Sequence, residues 1–206
     1  MKLHLSNLDV TKHVEIELGD ITQFVGRPNT GKSLAMRAIL REKGTVYLPY
    51  SRSFFTFQNL VLQLSKDFVT YDEKIYNLVK PLLRGQLKYL NDRLVYVEKD
   101  KVIPWEHVST SVLEVMSFLL SVKEGNIVLY EEPEAHLHEE LQLLMSIVLY
   151  ALSPFNRIVI STHSQTIFYN IVHLSLLKPT KEELKDLFED LKVNDYEALV
   201  DAVEKA

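Results

Sequence analysis

A length of 206 residues allows one domain, or one domain with a small appendage, and a composition of 47% hydrophobic and 25% charged residues excludes a wholly disordered chain. The 23 basic and 28 acidic side chains give a formal net charge of −5, which argues against a generally basic protein that coats nucleic acid but not against a local basic patch. Cysteine is absent, which excludes disulfide bonds, a thiolate metal site and a cysteine nucleophile.

The N-terminal part of the chain reads as short strands and one helix. Apolar residues occupy every second position around residues 3–5 and 14–18, which predicts half-buried strands of an N-terminal antiparallel sheet. Residues 21–25 predict a third strand. Residues 33–41 predict a helix with one apolar face, and residues 45–48 predict a further strand.

Residues 51–107 form the least regular segment, which we interpret as a small insert or arm within a single domain spanning residues 1–206. The pattern there predicts a helix at 72–79, a β-hairpin of residues 87–90 and 93–97, and a third strand at 101–103.

From residue 109 onward, helices and strands alternate regularly. The predicted elements are a helix at 111–122, a strand at 126–130, a helix at 137–151, a strand at 157–161 and a helix from Ser164. Such alternation implies parallel βαβ units and therefore an α/β fold. Residues 180–206 predict a C-terminal tail of two amphipathic helices, the first of which begins with the capping box Thr180–Glu183.

Residues 26–33, named the phosphate loop below, carry the pattern G-x4-G-K-S between a predicted strand and a predicted helix. Glycines let backbone N–H groups turn inward around phosphate oxygens, and the helix aims its positive end at them. Lys32 is expected to reach the β- and γ-phosphates of ATP, and the Ser33 hydroxyl to bind Mg²⁺. The predicted nucleotide-binding residues are Gly26, Arg27, Pro28, Asn29, Thr30, Gly31, Lys32, Ser33 and Leu34.

Two adjacent acids, Glu131 and Glu132, follow a predicted buried strand. Ligands of α/β sheets lie at the carboxyl ends of the strands, and adjacent strand residues point to opposite sides. We therefore expect Glu131 to face Mg²⁺, directly or through water, and Glu132 to polarise the attacking water. The alternative is that the pair opens the solvated first turn of the next helix, where acids interact favourably with the helix dipole.

His163 ends the next predicted strand, which runs parallel to the carboxylate strand, so it is expected near the γ-phosphate as a sensor of that group. The alternative is a histidine at a helix N-terminus that contacts only local backbone. Two further histidines, His136 and His138, do not share one helix face because they are two residues apart, and we interpret them as part of a turn rather than as a zinc site.

Together these motifs resemble the ABC ATPases of the SMC/RecF/OLD-nuclease type, a soluble branch of the P-loop NTPases. The opening residues 3–21 resemble the N-terminal sheet of that family, residues 131–138 its extended Walker B motif, and residues 161–164 its histidine switch. The resemblance implies an ABC-ATPase-like core with a parallel sheet, ATP hydrolysis with Mg²⁺, and a metal site formed by Ser33 and Glu131. It implies that the catalytic residues are Lys32, Glu132 and His163.

The family sandwiches two ATP molecules between two chains, and the residues before the predicted helix at 111–122 occupy the place of its signature motif. By this resemblance Ser109, Thr110 and Ser111 would contact the nucleotide of a second subunit in an ATP-dependent homodimer. Ser111 stands where the family has glycine and Glu131 where it has aspartate, so closure of the dimer and the position of the metal ion are in question. The alternative is that a serine here only caps the helix.

The leading hypothesis is a cytoplasmic ATPase that switches between an ATP-bound homodimer and monomers. No apolar run approaches the roughly 20 residues of a membrane span, and the N-terminus lacks the apolar region of a signal peptide, so no membrane partner is expected. A non-hydrolysing nucleotide-binding scaffold is the alternative, because Glu131, Ser111 and Tyr50 all depart from the family pattern, Tyr50 by standing where the family has glutamine. A small-molecule kinase would explain the phosphate loop but not residues 131–138.

A further hypothesis is a DNA-associated repair or maintenance module. Residues 80–101 carry six basic and three acidic side chains, with Tyr89 and Tyr96 among them. Basic side chains beside aromatic ones can grip a phosphate backbone and stack on bases. The alternative is an ordinary solvated face of a hairpin.

Overall fold

The structure, a computed structural model, describes residues 2–8, 11–27, 30–50, 62, 64 and 69–206. Its strands are β1 (Lys2–Leu8), β2 (Thr11–Glu17), β3 (Ile21–Val25), β4 (Thr45–Leu48), β5 (Gln86–Leu90), β6 (Arg93–Glu98), β7 (Lys101–Ile103), β8 (Ile127–Glu131) and β9 (Arg157–Thr162). Its α-helices are α1 (Lys32–Ile39), α2 (Glu73–Val79), α3 (Thr110–Ser121), α4 (Glu139–Leu152), α5 (Gln165–Leu177), α6 (Lys181–Asp190) and α7 (Glu197–Val203). None of the helices in these ranges combines the length and the apolar character that a membrane span requires.

The centre of the fold is a four-stranded parallel sheet with the strand order β3-β9-β8-β4. β8 and β9 are buried along nearly their whole length, as expected for apolar strands that are covered on both faces. β1 and β2 pair antiparallel in a separate two-stranded sheet. The predicted α/β fold, with a parallel sheet and an N-terminal antiparallel pair, is therefore confirmed.

Both faces of the parallel sheet carry packed side chains because neighbouring strand residues point in opposite directions. On one face, Leu129 of β8 and Val159 of β9 pack with Met36 and Ile39 of α1. On the other face, the adjacent residues of the same strands join a larger core with α3, α4 and α5. The two sides hold the four strands in fixed positions, and with them the segments that follow their carboxyl ends.

The three-stranded antiparallel sheet β5-β6-β7 was also expected from the sequence. Its two tight turns, Asn91-Asp92 and Lys99-Asp100, have positive φ at both residues, a conformation that matches the twist of a two-residue hairpin. Leu87 lies opposite Tyr96 across β5 and β6, and both side chains belong to the same buried core as the parallel sheet. The segment is thus anchored to the rest of the described chain by apolar packing.

The C-terminal helices α6 and α7 also pack into this core, to which Phe188 contributes a fully buried ring. The predicted capping box is present at the start of α6, where Glu183 Oε2 accepts a hydrogen bond of 2.8 Å from the Thr180 N–H. That bond stabilises the charged carboxylate and lowers the pKa of Glu183. Lys181 Nζ joins the two helices through Asp201 Oδ1 at 3.0 Å.

Candidate functional site

The phosphate loop joins β3 to α1, and two of its side chains donate hydrogen bonds to its own backbone carbonyls. Gly31, just before α1, has a φ of 88°, a left-handed conformation that glycine adopts without a Cβ penalty. Lys32 Nζ donates hydrogen bonds to the carbonyl oxygens of Gly26 at 2.8 Å and of Arg27 at 2.9 Å, so its side chain folds back over the loop. Thr30 Oγ1 donates to the Arg27 carbonyl at 2.9 Å. The Lys32 ammonium therefore lies on the loop itself.

The described part of the phosphate loop has the features of an anion site. The start of α1 presents backbone N–H groups, and the Lys32 ammonium lies beside them, which together favour negative charge. Ser33 and Leu34 are exposed on the first turn of α1. Two of the nine predicted nucleotide-binding residues, Pro28 and Asn29, lie outside the described residues. The other seven, residues 26–27 and 30–34, lie after the carboxyl end of β3.

Glu131 is the last residue of β8, and only 3% of it is exposed. Its Oε2 accepts a hydrogen bond of 3.3 Å from the Tyr50 N–H, just after β4. Tyr47 of β4 approaches the same carboxylate: burial raises the pKa of Tyr47, the negative charge of Glu131 raises it further, and Arg37 of α1 opposes the shift. Glu131 is thus a buried strand residue, and the alternative of a solvated helical turn is wrong for it, since α4 begins only at Glu139.

Glu132 and His163 lie beside each other, with Glu132 Oε1 at 3.9 Å from His163 Nε2. Glu132 comes directly after β8 and has a φ of 46°, which is unusual for a residue with a side chain. Its N–H donates a hydrogen bond of 2.7 Å to the Ser161 carbonyl of β9, which fixes the backbone in this conformation. The two side chains are 37% and 40% exposed, so both are accessible from solvent.

The strand order explains why these groups meet. β9 lies between β3 and β8, and all three strands are parallel, so their carboxyl ends form one edge of the sheet. Val25, the last residue of β3, pairs with Thr162, the last residue of β9. Gly26 and His163 come directly after these two residues and therefore begin at neighbouring positions. On the opposite side of β9, Glu131 of β8 pairs with Ser161, so Glu132 follows β8 on the side of His163 that faces away from Gly26. The phosphate loop, the two acids and the histidine therefore all lie at one edge of the sheet, and the roles assigned to them stay predictions.

Glu134 is a residue of this edge that the sequence analysis did not assign. Its Oε2 accepts a hydrogen bond of 2.8 Å from Thr162 Oγ1, and its Oε1 accepts bonds of 2.7 Å from the His163 N–H and 3.1 Å from the Ser164 N–H. The acidic run that starts at Glu131 was a signal for a functional segment. It could not reveal these partners, because they lie 28 to 30 positions away in the sequence.

The predicted metal ligands suit Mg²⁺ by their chemistry. Ser33 offers a hydroxyl oxygen and Glu131 a carboxylate oxygen, which are the hard ligands that Mg²⁺ prefers. Among the residues that the structure describes, no group of three or more histidine, aspartate or glutamate side chains could hold an ion alone. Mg²⁺ in nucleotide sites keeps several water ligands and needs only one or two protein oxygens besides phosphate oxygens. By donor chemistry the pair suits the ion, and its binding of Mg²⁺ stays a prediction.

The predicted signature residues lie at the start of α3. Ser109 is the N-cap, and its Oγ accepts a hydrogen bond of 3.4 Å from the Val112 N–H. The Ser109 and Ser111 hydroxyl oxygens are 3.0 Å apart. A capping role, the alternative interpretation, is thus confirmed for Ser109. Contact of Ser109, Thr110 and Ser111 with a second subunit stays a prediction.

The tyrosines proposed to stack on DNA bases are engaged within the fold. Tyr96 is 2% exposed and packs near the Trp105 ring, with centroids 6.4 Å apart. Tyr89 stacks on Tyr71 at 6.0 Å and donates a hydrogen bond of 2.7 Å to the Val69 carbonyl. The role proposed for Tyr96 is therefore wrong, and DNA binding by the basic side chains of this segment stays a prediction.

The comparisons with known proteins add no family to this geometry. No protein-family model matches the chain, and no curated protein is found to be similar to it in sequence. The function must therefore be inferred from the arrangement of side chains at the carboxyl edge of β3, β9 and β8.

Proposed function

We propose that this chain is a P-loop NTPase that hydrolyses ATP with Mg²⁺, of the ABC type that its motifs resemble. The observation that carries the proposal is that Lys32, Glu132 and His163 all lie at one edge of the parallel sheet, with the side chains of Glu132 and His163 3.9 Å apart. Phosphoryl transfer to water needs a cradle for the phosphates, a cationic contact and a group that orients the water. These three parts come from separate regions of the sequence and are joined by the strand order.

The phosphate loop would hold the nucleotide. Backbone N–H groups of the loop and of the start of α1 would bind the β- and γ-phosphate oxygens. Lys32 would exchange the carbonyls of Gly26 and Arg27, at 2.8 and 2.9 Å, for phosphate oxygens. Since its side chain already lies over the loop, rotation of side-chain torsions is enough for that exchange, and no strand needs to move.

Ser33 and Glu131 would hold Mg²⁺, which when bound neutralises negative charge on the β- and γ-phosphates. The Glu131 carboxylate is buried, and the Tyr50 N–H donates to it, so its position is fixed before the nucleotide arrives. Glutamate carries one methylene more than the aspartate usual in the resembling family.

Glu132 and His163 would divide the work at the γ-phosphate. The oxygen of a water molecule attacks the γ-phosphorus, the bond to the β–γ bridging oxygen breaks, and ADP and inorganic phosphate leave. Glu132 orients that water and accepts its proton, while His163 contacts a γ-phosphate oxygen. The separation of 3.9 Å between their side chains supports this division, because two groups so close to each other can both contact one phosphate group.

An ATP-dependent homodimer belongs to the proposal. In it, Ser109, Thr110 and Ser111 of one chain contact the nucleotide bound to the other, and hydrolysis reopens the dimer. The exposure of Ser109 and Thr110 at the amino end of α3 supports this role, because an accessible helix N-terminus is suited to bind phosphate oxygens.

The direct test is phosphate release from ATP by the purified protein, with and without Mg²⁺, for the wild type and for Lys32→Ala. We expect the wild type to turn over ATP and Lys32→Ala to lose about 100-fold in ATP affinity and turnover, since two or more charge-assisted hydrogen bonds to phosphate disappear. Lys43→Ala, which removes an exposed lysine beyond α1, is the matched control and should match the wild type.

Three results separate the alternatives. ATP binding without phosphate release would favour the nucleotide-binding scaffold. No ATP binding at all would overturn both interpretations. Equal activity of Lys32→Ala and Lys43→Ala would remove Lys32 from its assigned role.

A further inference from the structure

The turn between β9 and α5 is held by one carboxylate from another part of the chain. Glu134 accepts hydrogen bonds from Thr162 Oγ1 at 2.8 Å, from the His163 N–H at 2.7 Å and from the Ser164 N–H at 3.1 Å. All three donors lie in the segment that carries His163 into the candidate site. Charge-assisted bonds of this length are roughly twice as strong as neutral ones, so the turn is tightly fixed.

Glu134 is also tied to the other half of the site. It lies two residues after Glu132, whose N–H donates to the Ser161 carbonyl at 2.7 Å and whose carbonyl accepts from the Ala135 N–H at 2.9 Å. The short segment from Glu132 to Glu134 is therefore attached to β9 at two points, through a backbone bond at Ser161 and through the Glu134 side chain. Glu132 and His163 are thereby held as one unit.

The carboxylate of Glu134 is engaged within the fold. Both of its oxygens accept hydrogen bonds, and the Ser164 N–H that it binds also contacts Thr162 Oγ1 at 2.9 Å. Ser164 Oγ in turn donates to Gln142 Oε1 of α4 at 2.7 Å, so the N-terminus of α5 is fixed from two directions. A negative charge at the start of α5 is also favourable for its dipole.

We infer that Glu134 is a positioning residue for ATP hydrolysis, which holds the His163 segment so that the imidazole lies at the Glu132 carboxylate. The inference rests on the proposed function. We expect Glu134 to affect the rate of the chemical step and not the affinity for the nucleotide, because none of the described hydrogen bonds joins Glu134 to the phosphate loop.

The test is a kcat and KM comparison of Glu134→Ala, Glu134→Asp and Glu134→Gln. We expect kcat to fall about 10- to 100-fold in Glu134→Ala with ATP affinity unchanged, as when an outer partner of a catalytic group is lost. Glu134→Asp keeps the charge but is one methylene shorter, so it should lose similarly. Glu134→Gln keeps an oxygen for both N–H donors and should retain kcat within about 3-fold, because the loss of charge weakens the two bonds that hold the turn but does not remove them.

A double-mutant cycle with His163→Ala shows whether Glu134 acts through the histidine. If it does, Glu134→Ala lowers kcat little further in the His163→Ala background, because residues of one unit are not additive. Glu140→Ala, an exposed acid of the first turn of α4, is the matched control. Thermal unfolding identifies variants that do not fold, and if Glu134→Ala is among them, Glu134→Asp carries the comparison.

Two failures can be told apart. A wild type without ATP turnover overturns the proposed function, and this inference with it. An active wild type overturns the inference alone if kcat of Glu134→Ala or Glu134→Asp is unchanged, if Glu134→Gln is as impaired as Glu134→Ala, or if the effects of Glu134→Ala and His163→Ala simply add.

Discussion

Glu132→Gln is expected to lower kcat for ATP hydrolysis by about 10²- to 10⁴-fold, the usual contribution of a positioned general base. Glutamine has nearly the same shape as glutamate but cannot accept the proton of the attacking water. The backbone around Glu132 is fixed by its bond of 2.7 Å to the Ser161 carbonyl, so the substitution should leave the fold intact. Nucleotide affinity should persist, because the phosphate loop is unchanged.

The same variant should accumulate as a dimer in the presence of Mg²⁺ and ATP, because a sandwich that cannot hydrolyse its nucleotide does not reopen. Size-exclusion chromatography with and without ATP measures this, and single-turnover phosphate release measures the chemical step. Glu139→Gln makes the same chemical change at an exposed position of α4 and serves as the control. Turnover by Glu132→Gln at the rate of Glu139→Gln would show that Glu132 is not the base.

Gly85→Ala is expected to cause the largest loss of stability, about 3 kcal/mol, at the upper end of what overpacking usually costs. A Cβ at this position would lie 2.3 Å from the Val97 carbonyl oxygen and 2.9 Å from Cζ of the Tyr96 ring. The Val97 oxygen is part of the β5-β6 ladder, where Gln86 pairs with Val97, so it cannot retreat without loss of pairing. Tyr96 is buried and cannot move outward.

For a chain of this length, a change of 3 kcal/mol corresponds to a fall in Tm of roughly 6–12 °C. Differential scanning calorimetry or urea unfolding measures it. Gly19→Ala is the control, because a Cβ there would meet only the Ile21 carbonyl oxygen, at 3.4 Å, an ordinary contact distance. Equal unfolding midpoints for the two variants would contradict the close approach at Gly85.

The secondary structure could be predicted from the sequence wherever the local pattern of apolar residues matches the side chains that the fold buries. β3 and β4 have the predicted bounds, and the apolar runs of β8 and β9 become the buried centre of the parallel sheet. Several other predicted boundaries differ from the structure by one or two residues, and among them is the helix predicted from residue 137, which begins at Glu139 as α4. The reason is local, because His136 has a φ of 62° and Leu137 turns into the core, so the chain is still a turn at that point.

What could not be predicted depends on contacts between distant segments. The partners of Glu134 lie on the next strand, and no spacing rule connects an acid with the N–H groups of another turn. The two tyrosines of the hairpin differ for the same reason. Tyr96 faces the core through its register with Leu87, whereas Tyr89 is 47% exposed and stacks on Tyr71, which comes from an upstream segment. Residue type alone predicts the same surroundings for both tyrosines.

The central place of β9 limits how the site can move. β9 has five paired positions with β3 on one side and five with β8 on the other, so sliding it would break two ladders at once. In the proposed ATPase, rearrangement of His163 is therefore confined to rotation about its side-chain bonds, which takes picoseconds to nanoseconds when a side chain is exposed. Such rotation is far too fast to limit turnover. Turnover would then be limited by the chemical step or by larger motions, such as the association and separation of two chains.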